Sequence, residues 1–301
     1  MTPIETAVGR IWRDGRPVER AAYVVGAVLF AGGLVNAVVL LVSGGTWLGP
    51  VSLRKAVTFG LSFGLTLATV AWATSYLTVR GRTALLGSFL FACVAEVALV
   101  TVQAWRGVPS HFNFETGVDT AVSLTLAAGG GVIVLAGLGF TVAAFRSPGA
   151  MPPSRRVAVR FGLLVLVLAL ATGAVMIARG VGEARGGDPQ SAYTTAGALK
   201  PLHAVAMHAI LVLPGLAWLL GFTGWSERRR LRLVWLAVLA DTVLTVVIGI
   251  EAFAGIPPFA APLVCTGLSA AAFVVLAGTG VLALFSALRG KEPGYFRSSN
   301  A

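Results

Sequence analysis

The chain has 301 residues, of which 56% are hydrophobic and 12% charged, and its mean hydropathy is +0.85. Soluble domains carry about 25% charged residues, so this composition excludes an ordinary water-soluble fold. The formal charge of +11 does not point to nucleic acid, because a chain that crosses a membrane repeatedly retains Lys and Arg in its cytoplasmic loops.

In chain order, Thr2-Pro3-Ile4-Glu5 supplies an N-cap residue, a Pro at the first helical position and a Glu behind it, the signature of a helix start. Ile4, Val8, Ile11 and Trp12 recur at helical spacing while Arg10 and Arg13 lie elsewhere. This predicts an amphipathic helix over roughly Pro3–Arg13, resting on the membrane interface. Crossing a ~30 Å hydrocarbon core takes about 20 apolar residues. Runs of that length lie near 21–43, 55–79, 83–105, 119–145, 158–178, 201–224, 232–254 and 260–288. The first has no small-residue cleavage site with a polar exit, so it reads as a retained span. The expected fold is an all-α polytopic membrane bundle of eight spans. Residues 1–20 form a cytoplasmic N-terminal segment, 21–288 the membrane domain and 289–301 a cytoplasmic tail.

Orientation follows from the basic residues. Of the 23 Lys and Arg, only Arg54, Lys55, Arg106, Arg179, Arg185 and Lys200 fall in the loops of one side. The rest cluster on the side of both termini, which places the N- and C-termini inside. Trp47 and Trp105 near the outer boundary and Trp12, Trp225 and Trp235 near the inner one suit aromatic belts. Gly60 and Gly64 form a G-x-x-x-G pair that lets another helix approach closely. Gly129-Gly130-Gly131 reads the same way, with local unwinding as the alternative. Cys93 and Cys265 lie in apolar runs, where a thiol behaves as a small hydrophobe.

The polar residues inside or beside the spans gather on the outer side: Lys55, Glu96, Gln103, Ser110, His111, Asn113, Asp119, His203, His208 and Glu251. Ionisable groups at membrane depth face the bundle interior or a watery cavity, so their segregation predicts an outward-facing pocket. Glu96 and Gln103, seven residues apart, point almost the same way from their helix. Asp119 also suits the start of the next helix, where a carboxylate meets the positive end of the dipole. His203 and His208 are five residues apart, a poorer spacing for two ligands of one metal than i, i+4. Depth along the helices predicts that Glu96 meets His208 and that His203 joins His111 nearer the surface. Asp241 and Glu251 share the seventh span as candidates for a proton path.

Lys55-Ala56-Val57-Thr58-Phe59-Gly60-Leu61-Ser62-Phe63, Ser110-His111-Phe112-Asn113 and Lys200-Pro201-Leu202-His203 through His208 together resemble a group of uncharacterised bacterial multi-pass membrane proteins. That group has a Lys-Pro-x-Lys-Phe-like start to an early span, a Ser-His-Phe-Asn loop and a late basic-Pro-x-His-x4-His helix. Ala56, Thr58 and Leu211 depart from its pattern, which puts a polar task at positions 58 and 211 in doubt. The resemblance implies a shared outer site without naming its chemistry. A bias to Ala, Val, Gly and Arg also suits a high-GC bacterial genome, and hence the inner cell membrane. A weaker similarity is to membrane hydrolases of the alkaline ceramidase type, through Ser110, His111 and Asp119. Their Ser-x3-His and His-x3-His spacings are missing here.

Three functions compete. In the first, Lys55, Glu96, His111, Asp119, His203 and His208 line a pocket that binds or transports a small or lipid-derived ligand. In the second, His111, His203 and His208 hold zinc and Glu96 or Asp119 is the base that activates bound water. The third attaches haem through two of the histidines.

Overall fold

A computed structural model describes residues 3–47, 49, 51–146, 151–187, 197–257 and 260–289. Thr2, the proposed N-cap, and nearly all of the expected tail lie outside the described residues. Nine helices and no strand occur among the described residues: α1 (Pro3–Arg13), α2 (Pro17–Val42), α3 (Arg54–Ala73), α4 (Arg82–Trp105), α5 (Gly117–Arg146), α6 (Pro153–Arg185), α7 (Lys200–Leu220), α8 (Glu227–Phe253) and α9 (Leu263–Arg289). The helices α2 to α9 are the eight that are long and apolar enough to cross a membrane, as the hydropathy predicts. The protein is a multi-pass helical membrane bundle.

Successive spans alternate in direction. One end of the bundle, the terminal face, carries α1 and the start of α2. The other, the distal face, carries the α4–α5 loop and the starts of α3 and α7. The span boundaries differ most from expectation in two places. α3 stops at Ala73, and Thr74 to Val79 form a turn rather than a last helical stretch. α6 runs for 33 residues, about 50 Å at ~1.5 Å per residue. It therefore overshoots a ~30 Å hydrocarbon core and stands as a post at the distal face.

Glycine sets the tightest contact. On α2, Gly26 and Gly33 face Gly64 and Gly60 of α3, backbone against backbone. A Cβ on Gly60 would lie 2.6 Å from Gly33 Cα, and one on Gly33 would lie 2.7 Å from Leu61 N. Lipid tails are as apolar as Leu, so close van der Waals packing of small residues has to drive such an association. The expected G-x-x-x-G approach is thus present, with the first span as its partner.

The main apolar core lies between α3, α4, α5 and α6, around Leu67, Leu86, Phe140 and Leu163, all fully buried. A second core joins α6, α7 and α8 through Leu213, Leu220 and Val234. α9 buries only Ala272, Thr279, Ala283 and Ala287, one stripe at helical spacing. Its larger side chains, such as Phe273 and Phe285, are exposed on what would be the lipid side.

Candidate functional site

The α4–α5 loop is the most densely tethered polar segment of the distal face. α4 ends in a Schellman turn: Gly107 takes the left-handed conformation at φ 68°, and Val108 N–H donates to Gln103 O at 3.1 Å, the arrangement for which glycine is preferred. α5 begins with a capping exchange. Asp119 N–H donates to Thr116 Oγ1 at 3.1 Å, and Thr116 Oγ1 donates to Asp119 Oδ2 at 2.6 Å. The other Asp119 oxygen accepts from Gln103 Nε2 and Arg106 Nη1, both at 2.9 Å. Arg106 Nη1 also donates to Gln103 Oε1. Asp119 and Gln103 therefore clasp the loop shut, with every carboxylate oxygen engaged. Of the two readings of Asp119, the structure carries the cap.

Inside the clasp, three contacts seat the loop. Phe112 is the sole non-glycine residue with positive φ among the described residues, at 62°. Its ring fills the notch at Gly180 of α6 and packs on Met176, Ile177 and Val181. The Arg185 guanidinium lies 5.4 Å from the centre of the Phe114 ring. The φ of Phe112 costs energy that its seat in α6 offsets, and such strain is concentrated at functional sites.

The strained turn presents Ser110 and His111 to α3. Lys55 Nζ donates to Ser110 Oγ at 3.4 Å, and Ser110 Oγ lies 3.0 Å from His111 Nδ1. With Lys55 as donor, the Ser110 hydroxyl proton points at Nδ1, which leaves the His111 proton on Nε2. Phe59 of α3 sits against the imidazole, with centroids 5.8 Å apart. Burial first and the Lys55 ammonium second hold the imidazole far below its usual range, at about 3. His111 is therefore neutral at ordinary pH. Asn113 folds back on the loop: its Oδ1 accepts from Glu115 N–H at 3.1 Å, and its backbone N–H and C=O bond Ser123 Oγ at 3.2 and 3.0 Å. The Asn113 side chain is 3% exposed, and its Nδ2 is buried without a hydrogen-bond partner.

The other expected site residues are elsewhere. Glu96 does point from the same face of α4 as Gln103, since both meet α5. Its carboxylate occupies the space beside Gly129, where a Cβ would stand 3.0 Å from Oε1. The helix is unbroken through Gly129-Gly130-Gly131, so this triplet makes room rather than unwinding. His208 is exposed beside Ser62 and Thr66 of α3, and its Nδ1 bonds Ala204 O of its own helix at 2.5 Å. The expected Glu96–His208 pair is not formed. His203 turns to α6, with Nδ1 2.7 Å from Ala169 O and its ring in the gap left by Gly173, so it does not join His111. Glu251 is buried at the distal end of α8 with Oε1 unpartnered.

The metal expectation is corrected by this scatter. His111, His203 and His208 point into three different neighbourhoods, and among the described residues no group of three His, Cys, Asp or Glu is arranged to hold a metal ion. A haem bound between two of them loses its basis for the same reason.

One constellation was not foreseen. At the terminal face Glu19 and Arg82, 4% and 5% exposed, pair at 2.7 Å. Arg82 also donates to Thr74 O at 2.7 Å and Ala71 O at 3.0 Å, and Arg16 N–H donates to Glu19 Oε2 at 2.9 Å. Counting Arg82 as a loop charge concealed it. The available signal was the Arg16-Pro17-Val18-Glu19 spacing, which puts an acid at the third position of a Pro-started helix. Next to this pair opens a cavity of about 460 Å³, at the face opposite the one expected. Compared with known proteins, the chain matches no family model, no curated protein and no solved structure.

Proposed function

We propose that this multi-pass membrane protein binds, for uptake or sensing, a small anionic or acceptor-rich ligand at the distal cluster of Lys55, Ser110, His111 and Asn113. The observation that carries the reading is the buried, unpartnered Nδ2 of Asn113, held in a loop whose geometry is strained at the preceding residue. A buried donor without an acceptor costs about 1–3 kcal/mol. A ligand acceptor would remove that cost. The neighbouring ammonium and Nε2–H imidazole are donors as well, so a carboxylate or phosphate ester suits the cluster better than a cation. The resemblance of the Ser-His-Phe-Asn loop and the Lys55 segment to the bacterial membrane protein group supports a shared site at this loop. Orientation by the positive-inside count makes that site outward-facing.

The test is a thermal-unfolding screen of purified protein against small carboxylates and phosphate esters. A binder should raise the unfolding temperature of the wild type, and Lys55→Met and Asn113→Leu should each abolish the rise. A rise that survives both substitutions would place the ligand elsewhere.

A further inference from the structure

The cavity at the terminal face is framed by α1, the start of α2, the turn after α3, the start of α6, the end of α7 and the start of α8. We propose that it is a second binding site, for a phosphate-bearing anion held by arginine beneath the amphipathic helix α1.

Charge is the first argument. Arg10, Arg16, Arg155 and Arg230 line the cavity together with Asp14, Glu19 and Glu227. Two of these carboxylates are already committed within the protein. Glu19 Oε1 accepts from Arg82 Nε at 2.7 Å and from Arg16 Nη1 at 3.1 Å, and Glu227 Oε1 accepts from Ser154 N–H at 2.8 Å. Arg82 stands behind Glu19 and cancels it from the protein side. Glu227 Oε2 lies 3.9 Å from Arg230 Nη1, so Arg82 and the four arginines of the wall exceed Asp14, Glu19 and Glu227 by two positive charges.

The second argument is preorganisation. The Arg155 guanidinium lies 4.6 Å from the centre of the Tyr76 ring and is in no ion pair among the described residues. Stacking fixes its plane while leaving its edge of N–H donors to meet a ligand. The planar fork of arginine matches phosphate oxygens in pairs. Tyr76 lines the same wall, and its hydroxyl is a neutral donor.

Shape supplies the third argument. The volume falls in the range of small-molecule sites, about 300–1,000 Å³. One flank is apolar: Trp218 and Phe222 line it, and Ile4 and Ala7 of α1 pack there beside Ala287. A basic floor beside an apolar flank at a membrane interface fits the headgroup of an anionic phospholipid, and the same arginines would hold free phosphate. α1 is the lid in either case, contributing Arg10 and Ile11 from its underside.

The experiment uses the full chain in nanodiscs of phosphatidylcholine. One arm adds a quarter of phosphatidylglycerol and reads lipid retained by native mass spectrometry. The other keeps phosphatidylcholine alone and titrates inorganic phosphate, read as a shift in unfolding temperature. Arg155→Gln should weaken the bound species about tenfold, the loss expected of one charge-assisted contact. Ile11→Glu, on a helix outside the spans, should weaken it as well by placing a carboxylate in the cavity, and it decides the matter if Arg155→Gln does not fold. In the phosphatidylglycerol arm Lys55→Met at the distal face should retain as much lipid as the wild type does, which separates this site from the one proposed above. Retention of phosphatidylglycerol alone identifies the headgroup as the source, and a response to phosphate alone identifies the free anion. Binding in neither arm, or binding that the folded cavity variants leave unchanged, would overturn the proposal.

Discussion

His111 shows how two neighbours decide the chemistry of a side chain. Half-buried in its loop and next to Lys55, it sits at about 3 rather than near its ordinary value of about 6.5. Its ring signals in a histidine-labelled sample should not titrate between pH 8 and 5, and a midpoint within that interval would refute the placement. The sign for stability follows. Because the folded pKa is depressed, the unfolded chain binds the proton first, so stability is unaffected above about pH 6.5 and falls as pH drops from there toward about 3. Arg82 makes a different case. Removing one partner of a buried ion pair costs about 3–5 kcal/mol, whereas replacing both often costs little. Arg82→Met should therefore lower stability by about that amount in denaturant titrations, and Glu19→Gln with Arg82→Met should recover most of it. Equal losses in the single and double variants would mean that the charge of Glu19 is not what Arg82 compensates.

At the scale of helices, the α2–α3 seam separates adjacent glycines by function. Gly33 faces α3 so closely that a Cβ would meet Leu61 N at 2.7 Å, whereas a Cβ on Gly32 would meet nothing within 4 Å. Backbone atoms cannot step aside as a side chain can. Gly33→Ala should then destabilise by about 1–3 kcal/mol through overpacking. Gly32→Ala should be neutral or stabilise by up to about 1 kcal/mol through helix propensity. Unfolding midpoints of the two variants provide the comparison, and equal effects would contradict the seam. The same reasoning applies to the notch at Gly180, where a methyl group would evict Phe112 and release the loop that presents Ser110 and His111.

For the whole molecule, orientation is the property on which the meaning of both sites depends. Glu115 and Arg228 are exposed at opposite faces, and of the native thiols Cys93 is buried while Cys265 is partly accessible. In a Cys265→Ala background, an impermeant maleimide applied to intact cells should label Glu115→Cys, and should reach Arg228→Cys only after permeabilisation. The reverse pattern would invert the molecule. The arginine-lined cavity would then face outward, away from the anionic cytoplasmic leaflet that favours basic sites.

Hydropathy sums over about 20 neighbouring residues, which is why the eight spans were legible from the sequence; the helix α1 and the close approach at Gly60 and Gly64 were legible because they rest on residues three or four apart. The cap role of Asp119 was legible too, because capping is a matter of positions three residues apart. Meetings between distant helices are not local. Glu96 and His208 match in depth, yet α4 packs on α2, α3 and α5, while α7 packs on α3, α6, α8 and α9. Depth is set by residue count along one helix, but contact also requires the order of helices around the bundle and the rotation of each about its axis. Those two quantities are decided by how glycine seams and large apolar side chains interlock in three dimensions. They turned His203 to Ala169, left His208 exposed, joined Glu19 to Arg82 across 63 positions of chain, and opened a cavity of about 460 Å³ at the face where no pocket was expected.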